Sequence, residues 1–318
     1  MHHWTTANIP DQTGRIAVIT GANSGLGYQT ALALASKNAH VVMACRNLPK
    51  ANAACDKIRQ QAPTASLAVM PLDLADLASI RTFAAAFLTR YDRLDLLINN
   101  AGIMIPPLCH TTDGFELQLG TNHLGHFALT GLLLERLIKQ PNSRVVTISS
   151  IMAYIGRMKF DDLMHKRRYH RWLAYGQSKL ANLLFALELQ RRLAAAKVTT
   201  ISLAAHPGGS ATNLQHAGID IDNAFFQKLL MLLLTPFLQS AVMGALPQLY
   251  VATAPGVQGG DYYGPGDWFE ITGYPAQARL PRAARDHTAA NRLWQESERL
   301  TGVSYDALIP YPKATEPF

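Results

Sequence analysis

A tyrosine and a lysine one helical turn apart are the residues in this chain best suited to proton transfer. Tyr175 and Lys179 lie near the start of a strong helical pattern, so both side chains point to one helix face. A free tyrosine has a pKa of about 10, too high for acid–base work near neutral pH. A nearby ammonium favours the phenolate and lowers that pKa, which predicts an acid–base group. An incidental tyrosine and lysine on a helix is the alternative, and the surrounding fold decides between the two.

Polar residues also follow two apolar runs that are typical of strands. Ser149 and Ser150 follow Val145–Ile148, where a serine can donate a hydrogen bond to a substrate carbonyl or cap the next turn. The segment Asn100–Gly102 follows another such run and is expected to line a cofactor channel. Asn122 lies inside a helical pattern, where asparagine has poor propensity. It indicates either a kink with a bound water or a tolerated polar residue.

A glycine-rich turn joins the first predicted strand to the first helix. Glycines let the backbone approach a pyrophosphate, and the helix N-terminus offers unpaired N–H groups and the positive end of a dipole. An ordinary tight turn is the alternative, but a position directly after the first strand favours a dinucleotide site. The residues assigned to the turn are Gly21, Asn23, Ser24, Gly25, Leu26 and Gly27.

Arg46 follows the second predicted strand with no carboxylate beside it. An acidic residue in this place holds the 2′-hydroxyl of NAD, whereas an arginine accommodates the 2′-phosphate of NADP. A guanidinium fork suits a phosphate, so NADP(H) is the predicted cofactor; a solvated surface arginine is the alternative. Asp73 and Leu74 end the third strand. Asp73 can meet the adenine edge or cap the helix nearby, and both roles stay open.

Short β-branched runs alternate with longer helical patterns along the chain. This alternation predicts an α/β fold with a doubly wound parallel sheet and helices on both faces. The strands are almost continuously apolar, as strands covered on both faces should be. Residues 1–318 are interpreted as one domain, with a C-terminal extension from about residue 266. The predicted strands are Arg15–Thr20, His40–Cys45, Ser66–Pro71, Leu94–Asn99, Arg144–Ser149 and Thr199–Ala205, and the predicted helices include Tyr28–Lys37, Leu77–Arg90, Trp172–Ala196 and Ala283–Thr301.

Composition narrows the class of protein. A hydrophobic fraction of 48% and a charged fraction of 16% are ordinary for a folded globular chain. Three cysteines without C-x-x-C spacing predict neither a disulfide framework nor a metal site, and they favour a reducing, cytoplasmic location. The net charge of +7 suits phosphates, but no nucleic-acid motif accompanies it. Prolines and polar residues interrupt the apolar region Phe225–Val251, which argues against a transmembrane helix.

Taken together, these motifs resemble the short-chain dehydrogenase/reductase family. They occur in the family's order and span most of the chain, so their joint match is specific. Within the family the sequence is most similar to the retinol-dehydrogenase-like branch, in segments 122–127, 178–182, 206–208 and 290–294 and in the long interval between the serine and the tyrosine. The matching pieces are Thr20–Gly27, Asn99–Gly102 with its Ala101, Ser150, Tyr175 with Lys179, and Pro207-Gly208.

The resemblance implies a role for each of these residues. Tyr175 would be the acid–base group, and Lys179 would hold the nicotinamide ribose and lower the tyrosine pKa. Ser150 would orient the carbonyl, and Asn122 would hold a water that links the lysine to a proton relay. Hydride transfer between NADP(H) and a carbonyl or alcohol is the implied reaction. The resemblance also adds Pro207, Gly208 and Thr212 to the cofactor site.

Two segments bear on substrate and partners. Residues 213–240 lie where the family places its substrate lid, and their apolar side chains fit a bulky lipophilic ketone, aldehyde or alcohol. Packing within the domain or a homo-oligomer interface is the alternative. The basic insert, residues 157–171, is interpreted as a solvated loop, with peripheral contact to an anionic membrane as the alternative.

Three functions remain open from the sequence. The first is an active NADP(H)-dependent carbonyl reductase or alcohol dehydrogenase, which the full set of polar motifs favours. The second is a catalytically silent NADP(H)-binding interaction protein, because fold does not imply function. The third is a light-dependent enzyme similar to protochlorophyllide reductase, which shares a stretch similar to Gly120–Phe127.

Overall fold

A computed structural model describes residues 3–209 and 239–308 of the chain. Its strands, in chain order, are β1 Ile16–Thr20, β2 His40–Cys45, β3 Ser66–Pro71, β4 Leu96–Asn99, β5 Arg144–Ile148, β6 Ile201–Ala205, β7 Tyr262–Asp267 and β8 Thr272–Gln277. They form one sheet in the order β3-β2-β1-β4-β5-β6-β7-β8. Neighbours from β3 through β7 are parallel, and β8 runs antiparallel to β7.

The α-helices of more than ten residues in the described residues are α1 Gly25–Ala35, α2 Leu48–Gln61, α3 Leu77–Arg90, α4 Gly125–Ile138, α5 Arg171–Ala195, α6 Ala241–Thr253 and α7 His287–Thr301. Side-chain caps define several of their first turns. Asn47 accepts from the Lys50 amide at the start of α2, and Asp286 accepts from the Ala289 amide at the start of α7. Each cap satisfies an amide that would otherwise lack a helical partner. Helix α7 ends at Gly302, whose φ of +60° is the left-handed conformation that glycine adopts easily.

The strand order reverses between β1 and β4, which lie side by side although two strands separate them in sequence. Val18 of β1 is in register with Val42 of β2 on one side and Leu97 of β4 on the other. Helices that leave such neighbouring strands toward opposite faces open a crevice at the carboxyl ends. The fold therefore places a ligand site beyond Thr20 and Asn99, the last residues of the two strands.

Two apolar layers cover the sheet, one on each face. On one face an aromatic group joins α4, α5 and α7, with the rings of Phe127 and Trp294 centred 5.2 Å apart. The Arg192 guanidinium lies 4.3 Å from the Trp294 ring centre. Helix α7 thus belongs to the core of the domain, and it packs against the helix that carries Tyr175.

The predicted parallel sheet with helices on both faces is confirmed, and the six predicted strands agree with β1–β6 to within two residues at each end. Strands β7 and β8 were not predicted. Their sequences, Tyr262–Asp267 and Thr272–Gln277, contain glycine and proline, which strands usually lack. The boundary predicted near residue 266 falls inside β7, so the sheet extends to Gln277. Helix α7 begins four residues later than predicted, after a short turn at Arg282–Arg285.

Over residues 3–209 and 239–308, no helix is both long enough and apolar enough to cross a bilayer. Most of the predicted substrate lid, up to residue 238, lies outside the described residues.

Candidate active site

Tyr175, Ser150 and Lys179 meet at the carboxyl edge of the sheet, and we call them the Tyr175 cluster. Ser150 is the second residue after β5, and α5 supplies the other two residues from its first turns. The Ser150 hydroxyl lies close enough to the Tyr175 phenol to favour its anionic form. The Lys179 Nζ atom lies 5.8 Å from the centre of the Tyr175 ring. The structure therefore brings together the three side chains that the sequence marked for proton transfer.

Burial controls the ionisation of this cluster. It raises the pKa of Tyr175 to about 12, and the Ser150 hydroxyl opposes that rise. Burial also lowers the pKa of Lys179 to about 8, since a charge loses its hydration inside the protein. Burial and the Ser150 hydroxyl are thus the two causes of the shift in the Tyr175 pKa. The lowering of that pKa by Lys179 stays a prediction.

The Lys179 side chain is held against the end of β5. Its Nζ donates to the Ile148 carbonyl over 3.1 Å, and Asn182 Nδ2 donates to the same oxygen over 3.0 Å. The Ser149 hydroxyl donates back to the Lys179 carbonyl over 2.8 Å. These three bonds join strand β5 to helix α5, so the ammonium has a defined position beside the phenol.

Asn122 lies in a π-helical turn, Gly120–Leu124, that directly precedes α4. Its Oδ1 accepts from the Ile103 amide over 2.9 Å, and its Nδ2 donates to the Ile103 carbonyl and to Ser178 Oγ. The side chain is fully buried. The kink predicted at this position is therefore a π turn, which often marks a functional site. Ser178, which ties this turn to α5, was not among the predicted site residues.

The glycine turn presents backbone rather than side chains to the crevice. Gly21 and Gly25 have φ angles of +65° and +54°. A Cβ atom on Gly27 would lie 2.4 Å from the Gly21 carbonyl oxygen, so no larger residue fits there without movement. The first turn of α1 has no acidic residue that would repel an anion. These features fit the phosphates of a dinucleotide at the N-terminus of α1.

The end of β4 is tied directly to this turn. Asn100 Nδ2 donates to the Thr20 carbonyl over 2.8 Å, and the amides of Asn100 and Ala101 both donate to Thr20 Oγ1 over 2.9 Å. A Cβ atom on Gly102 would lie 3.2 Å from Lys179 Nζ. The segment Asn100–Gly102 therefore runs from the glycine turn to the Tyr175 cluster, along the path expected for a cofactor channel.

Arg46 and Asp73 lie next to each other beyond the ends of β2 and β3. The Arg46 side chain is 75% exposed, and its Nη1 lies 3.8 Å from Asp73 Oδ2. Asp73 Oδ1 accepts from the Ala75 amide, whereas α3 is capped by Asp76, so Asp73 does not cap the helix. Leu74 is buried against Gly125. The exposed guanidinium remains accessible to an anion, as a 2′-phosphate site requires.

The turn of the β7–β8 hairpin and Gln239 both contact the segment that follows β6. Gly208 has a φ of +61°, and the Gly209 amide donates to the Ile271 carbonyl over 2.9 Å. Gln239 Nε2 donates to the Pro207 carbonyl over 2.8 Å. His206, fully buried, lies 3.1 Å from Glu270 through its Nε2. Thr212, predicted to contact the cofactor, lies outside the described residues.

Glu270, the partner of His206, was not among the residues that the sequence motifs indicated. That residue belongs to a run of three non-glycine residues in the left-handed region, Trp268, Phe269 and Glu270, with φ values of +43°, +56° and +63°. Asparagine and glycine usually mark such turns, and this run contains neither. No local signal in the sequence therefore indicated the hairpin turn that carries the carboxylate.

The basic insert is solvated over much of its length. Lys166, Arg167 and Arg168 are exposed, and Arg167 forms an exposed ion pair with Asp161 at 3.4 Å. Tyr169 points inward and donates to the Pro106 carbonyl over 2.9 Å. Within the described ranges no group of three or more histidine, cysteine or acidic residues is arranged to hold a metal ion.

A doubly wound sheet, a glycine turn at the switch point and a serine–tyrosine–lysine cluster define the class of protein: a nicotinamide-dependent oxidoreductase. Residues 15–220 match the family model described as short chain dehydrogenase. The chain belongs to that family, and it is retinol-dehydrogenase-like. Both the family and the branch indicated by the sequence motifs are thus confirmed.

Two human relatives illustrate the likeness. The chain is 42% identical to human retinol dehydrogenase 12 over 295 residues, which are 92% of this chain and 88% of that protein. It is 41% identical to human retinol dehydrogenase 13, over 96% of this chain and 89% of the relative. The matches run through nearly all of each sequence, so the likeness extends well beyond the cofactor motifs.

Solved structures show the same fold. An uncharacterised protein from Mycobacterium paratuberculosis matches with a TM-score of 0.80 and 44% identity, over 96% of this chain and 99% of that one. The Pseudomonas aeruginosa RhlG/NADP active-site complex matches with a TM-score of 0.60 and 21% identity, over 79% of this chain and 94% of the other. At that lower identity the likeness concerns the fold alone.

Proposed function

We propose that this protein interconverts lipophilic ketones or aldehydes and the corresponding alcohols by hydride transfer with NADP(H). The observation that carries the proposal is the Tyr175 cluster. A buried phenol, a buried ammonium and a half-buried serine hydroxyl lie together at the edge of the sheet where the glycine turn also lies. This arrangement can position a carbonyl oxygen and give it a proton in one place.

The cofactor would lie along the crevice from the glycine turn to the Tyr175 cluster. When bound, the nicotinamide supplies the hydride. The exposed guanidinium of Arg46 supports a preference for the 2′-phosphate of NADP(H). The residues proposed to hold the cofactor are Gly21, Asn23, Ser24, Gly25, Leu26, Gly27, Arg46, Asp73, Leu74, Asn100, Ala101, Gly102, Tyr175, Lys179, Pro207, Gly208 and Thr212.

In the reductive direction the chain's own residues handle the substrate oxygen and its proton. Ser150 donates a hydrogen bond to the carbonyl and thereby orients it. Tyr175 gives its phenolic proton to the oxygen as negative charge develops there. Lys179 contributes positive charge beside the phenolate that forms. Asn122 holds the π turn against Ser178 and so keeps the surroundings of α5 in place.

The lipophilic nature of the substrate rests on two observations. The relatives described above are named retinol dehydrogenases, and retinol is a long apolar alcohol. Ile155 and Leu173, close in sequence to Ser150 and Tyr175, are 54% and 42% exposed. The two side chains line one pocket, and exposed apolar side chains favour contact with a lipophilic ligand. The predicted lid adds more apolar residues, but it lies outside the described residues.

The test is turnover by the purified protein. NADPH consumption is followed in darkness with retinal and a panel of aryl ketones, with NADH as the alternative cofactor and the Tyr175→Phe variant as the control. We expect NADPH consumption with bulky carbonyls and none from the variant. Wild-type protein that binds NADPH but turns over no substrate would instead indicate a silent binding protein.

A further inference from the structure

The fully buried imidazole of His126 connects the end of β1, next to the glycine turn, with the π turn that contains Asn122. Its Nδ1 lies 2.9 Å from the main-chain carbonyl of Asn122, in the π turn. Its Nε2 lies 2.9 Å from Thr20 Oγ1, at the end of β1. One ring therefore bridges the turn before α4 and the residue that precedes the glycine turn.

The direction of every hydrogen bond in this bridge follows from one atom. The Asn122 carbonyl can only accept, so His126 Nδ1 carries the proton. Burial lowers the pKa of His126 to about 4, which leaves Nε2 without a proton and able to accept. The Thr20 hydroxyl then donates to Nε2 over 2.9 Å rather than to the Ile98 carbonyl, which lies farther away at 3.4 Å. The hydroxyl oxygen remains free to accept the amides of Asn100 and Ala101.

The bridge ends beside the groups that do chemistry. The Asn100 and Ala101 amides lead to Gly102, where a Cβ atom would lie 3.2 Å from Lys179 Nζ and 3.4 Å from Asn122 Oδ1. At its other end, the Asn122 side chain bonds to Ser178 in the helix of the Tyr175 cluster. A rotation of the imidazole would therefore disturb both the cofactor channel and the turn behind the lysine.

We propose that His126 is a positioning residue that locks the Asn122 carbonyl and the Asn100–Ala101 backbone into one network, coupling the cofactor site to the proton-transfer site. This inference rests on the proposed function. A displacement of about 1 Å, caused by a change far from the reacting atoms, can lower the rate by about a hundredfold. Disruption of the network should therefore lower the rate measurably.

His123 provides a matched control in the same segment. It is also buried, but its Nε2 bonds to Ser297 Oγ in α7 over 2.8 Å, on the side away from the glycine turn. Its ring lies among aromatic neighbours, with centres 6.1 Å from Phe127 and 6.0 Å from Phe185. A phenylalanine in its place removes one buried hydrogen bond without touching the bridge.

The experiment compares His126→Phe with His123→Phe. We expect His126→Phe to lower kcat and to raise the KM for NADPH, with a combined loss of about ten- to a hundredfold in kcat/KM. We expect His123→Phe to lower the melting temperature while kcat/KM stays within about twofold. The change removes the hydrogen bond between His123 and Ser297 but no contact in the candidate active site. Equal kinetic effects from the two variants, or none from His126→Phe, would overturn the proposal.

Two further variants separate positioning from loss of folding. His126→Asn keeps an N–H donor near Asn122 but does not reach Thr20, so we expect kcat to recover while the KM for NADPH stays high. Thr20→Val removes the hydroxyl at the other end and should raise the same KM. Combined with His126→Phe it should add little, because both changes break one network. Additive losses would contradict a single network.

A readout without turnover distinguishes this proposal from the proposed function. Nitrogen NMR of histidine-labelled protein shows which ring nitrogen of His126 carries the proton, and NADPH titration shows the affinity. A proton on Nδ1 and weaker NADPH binding in His126→Phe support the network even if no substrate is found. A proton on Nε2 overturns it, whatever the activity.

Discussion

The two halves of the candidate site differ in how far their side chains are exposed to solvent. We call Arg46, Asp73 and the glycine turn the nucleotide edge. There the Arg46 side chain is 75% exposed, and its ion-pair distance of 3.8 Å to Asp73 is long. In the Tyr175 cluster, by contrast, Tyr175 and Lys179 are 9% and 4% exposed. One half presents backbone and a solvated cation, and the other buries its phenol and its ammonium.

This difference in exposure determines how each half contributes to the free energy of unfolding. An exposed ion pair contributes about 0–1 kcal/mol, so its residues can change with little effect on stability. Buried polar groups lose hydration and must recover it through hydrogen bonds. The Tyr175 cluster is therefore expected to be destabilising in itself and held by its surroundings, whereas the nucleotide edge is expected to be almost neutral.

The largest expected effect comes from a substitution in the Tyr175 cluster alone. Tyr175→Phe removes the proton donor without changing the ring, so we expect kcat to fall by about 10³-fold. NADPH affinity, measured by fluorescence titration, should change by less than about threefold because the nucleotide edge is untouched. Retained turnover would show that the phenol is not the acid–base group.

The next effect concerns the nucleotide edge alone. Arg46→Asp replaces a cation with a carboxylate that repels a 2′-phosphate. We expect the ratio of kcat/KM for NADPH to that for NADH to fall by about ten- to a hundredfold, the worth of one charged hydrogen bond. Arg46→Lys serves as the control that keeps the charge but loses the fork. An unchanged ratio in Arg46→Asp would exclude this arginine as the phosphate reader.

A third prediction concerns the stability cost of the catalytic half. Lys179→Met removes a buried charge, and Asn182 still satisfies the Ile148 carbonyl. We expect turnover to be lost and the free energy of unfolding at pH 7 to rise by about 1–3 kcal/mol, measured by urea denaturation.

The sign of its pH dependence follows from the lowered pKa. The folded-state pKa of Lys179 is about 8, below its ordinary value of 10.5. Below pH 8 the lysine is charged in both states and its burial costs the most. As pH rises from 8 toward 10.5, only the unfolded state holds the proton, so the wild type recovers stability. The advantage of Lys179→Met should shrink over that window, and a constant advantage would contradict the account.

The smallest expected effect completes the comparison. Arg46→Ala should change the free energy of unfolding by less than about 0.5 kcal/mol, because the ion pair it removes is solvated. The same urea titration measures it beside Lys179→Met. A loss above 1 kcal/mol would show that the nucleotide edge is a structural element after all, and the contrast between the halves would fail.

Much of this site was predictable because its signals are local. The spacing of Tyr175 and Lys179 defines a shared helix face, and the glycines after β1 specify backbone that only glycine adopts easily. The alternation of apolar runs and amphipathic stretches was enough for the parallel sheet. These features depend on residues close in the chain, where the geometry of helix and strand is nearly fixed.

Other features required the folded chain. Strands β7 and β8 contain residues that disfavour strands, and the pairing of β7 with β6 and of β8 with β7 overrides that preference. Asp76 rather than Asp73 caps α3, a choice between neighbours that propensity does not make. Glu270 contacts His206, although the two residues are 64 positions apart in the sequence.

The sequence by itself determined the class of this protein, the order of its first six strands and the chemical types of its reactive groups. Only the tertiary structure decided how those groups ionise and which backbone atoms they contact. Burial raises the pKa of Tyr175 to about 12, and the His126 bridge joins Asn122 to Thr20. The physical reason is that hydration and hydrogen-bond partners depend on every segment packed around a residue, whereas helix and strand patterns depend on its neighbours along the chain.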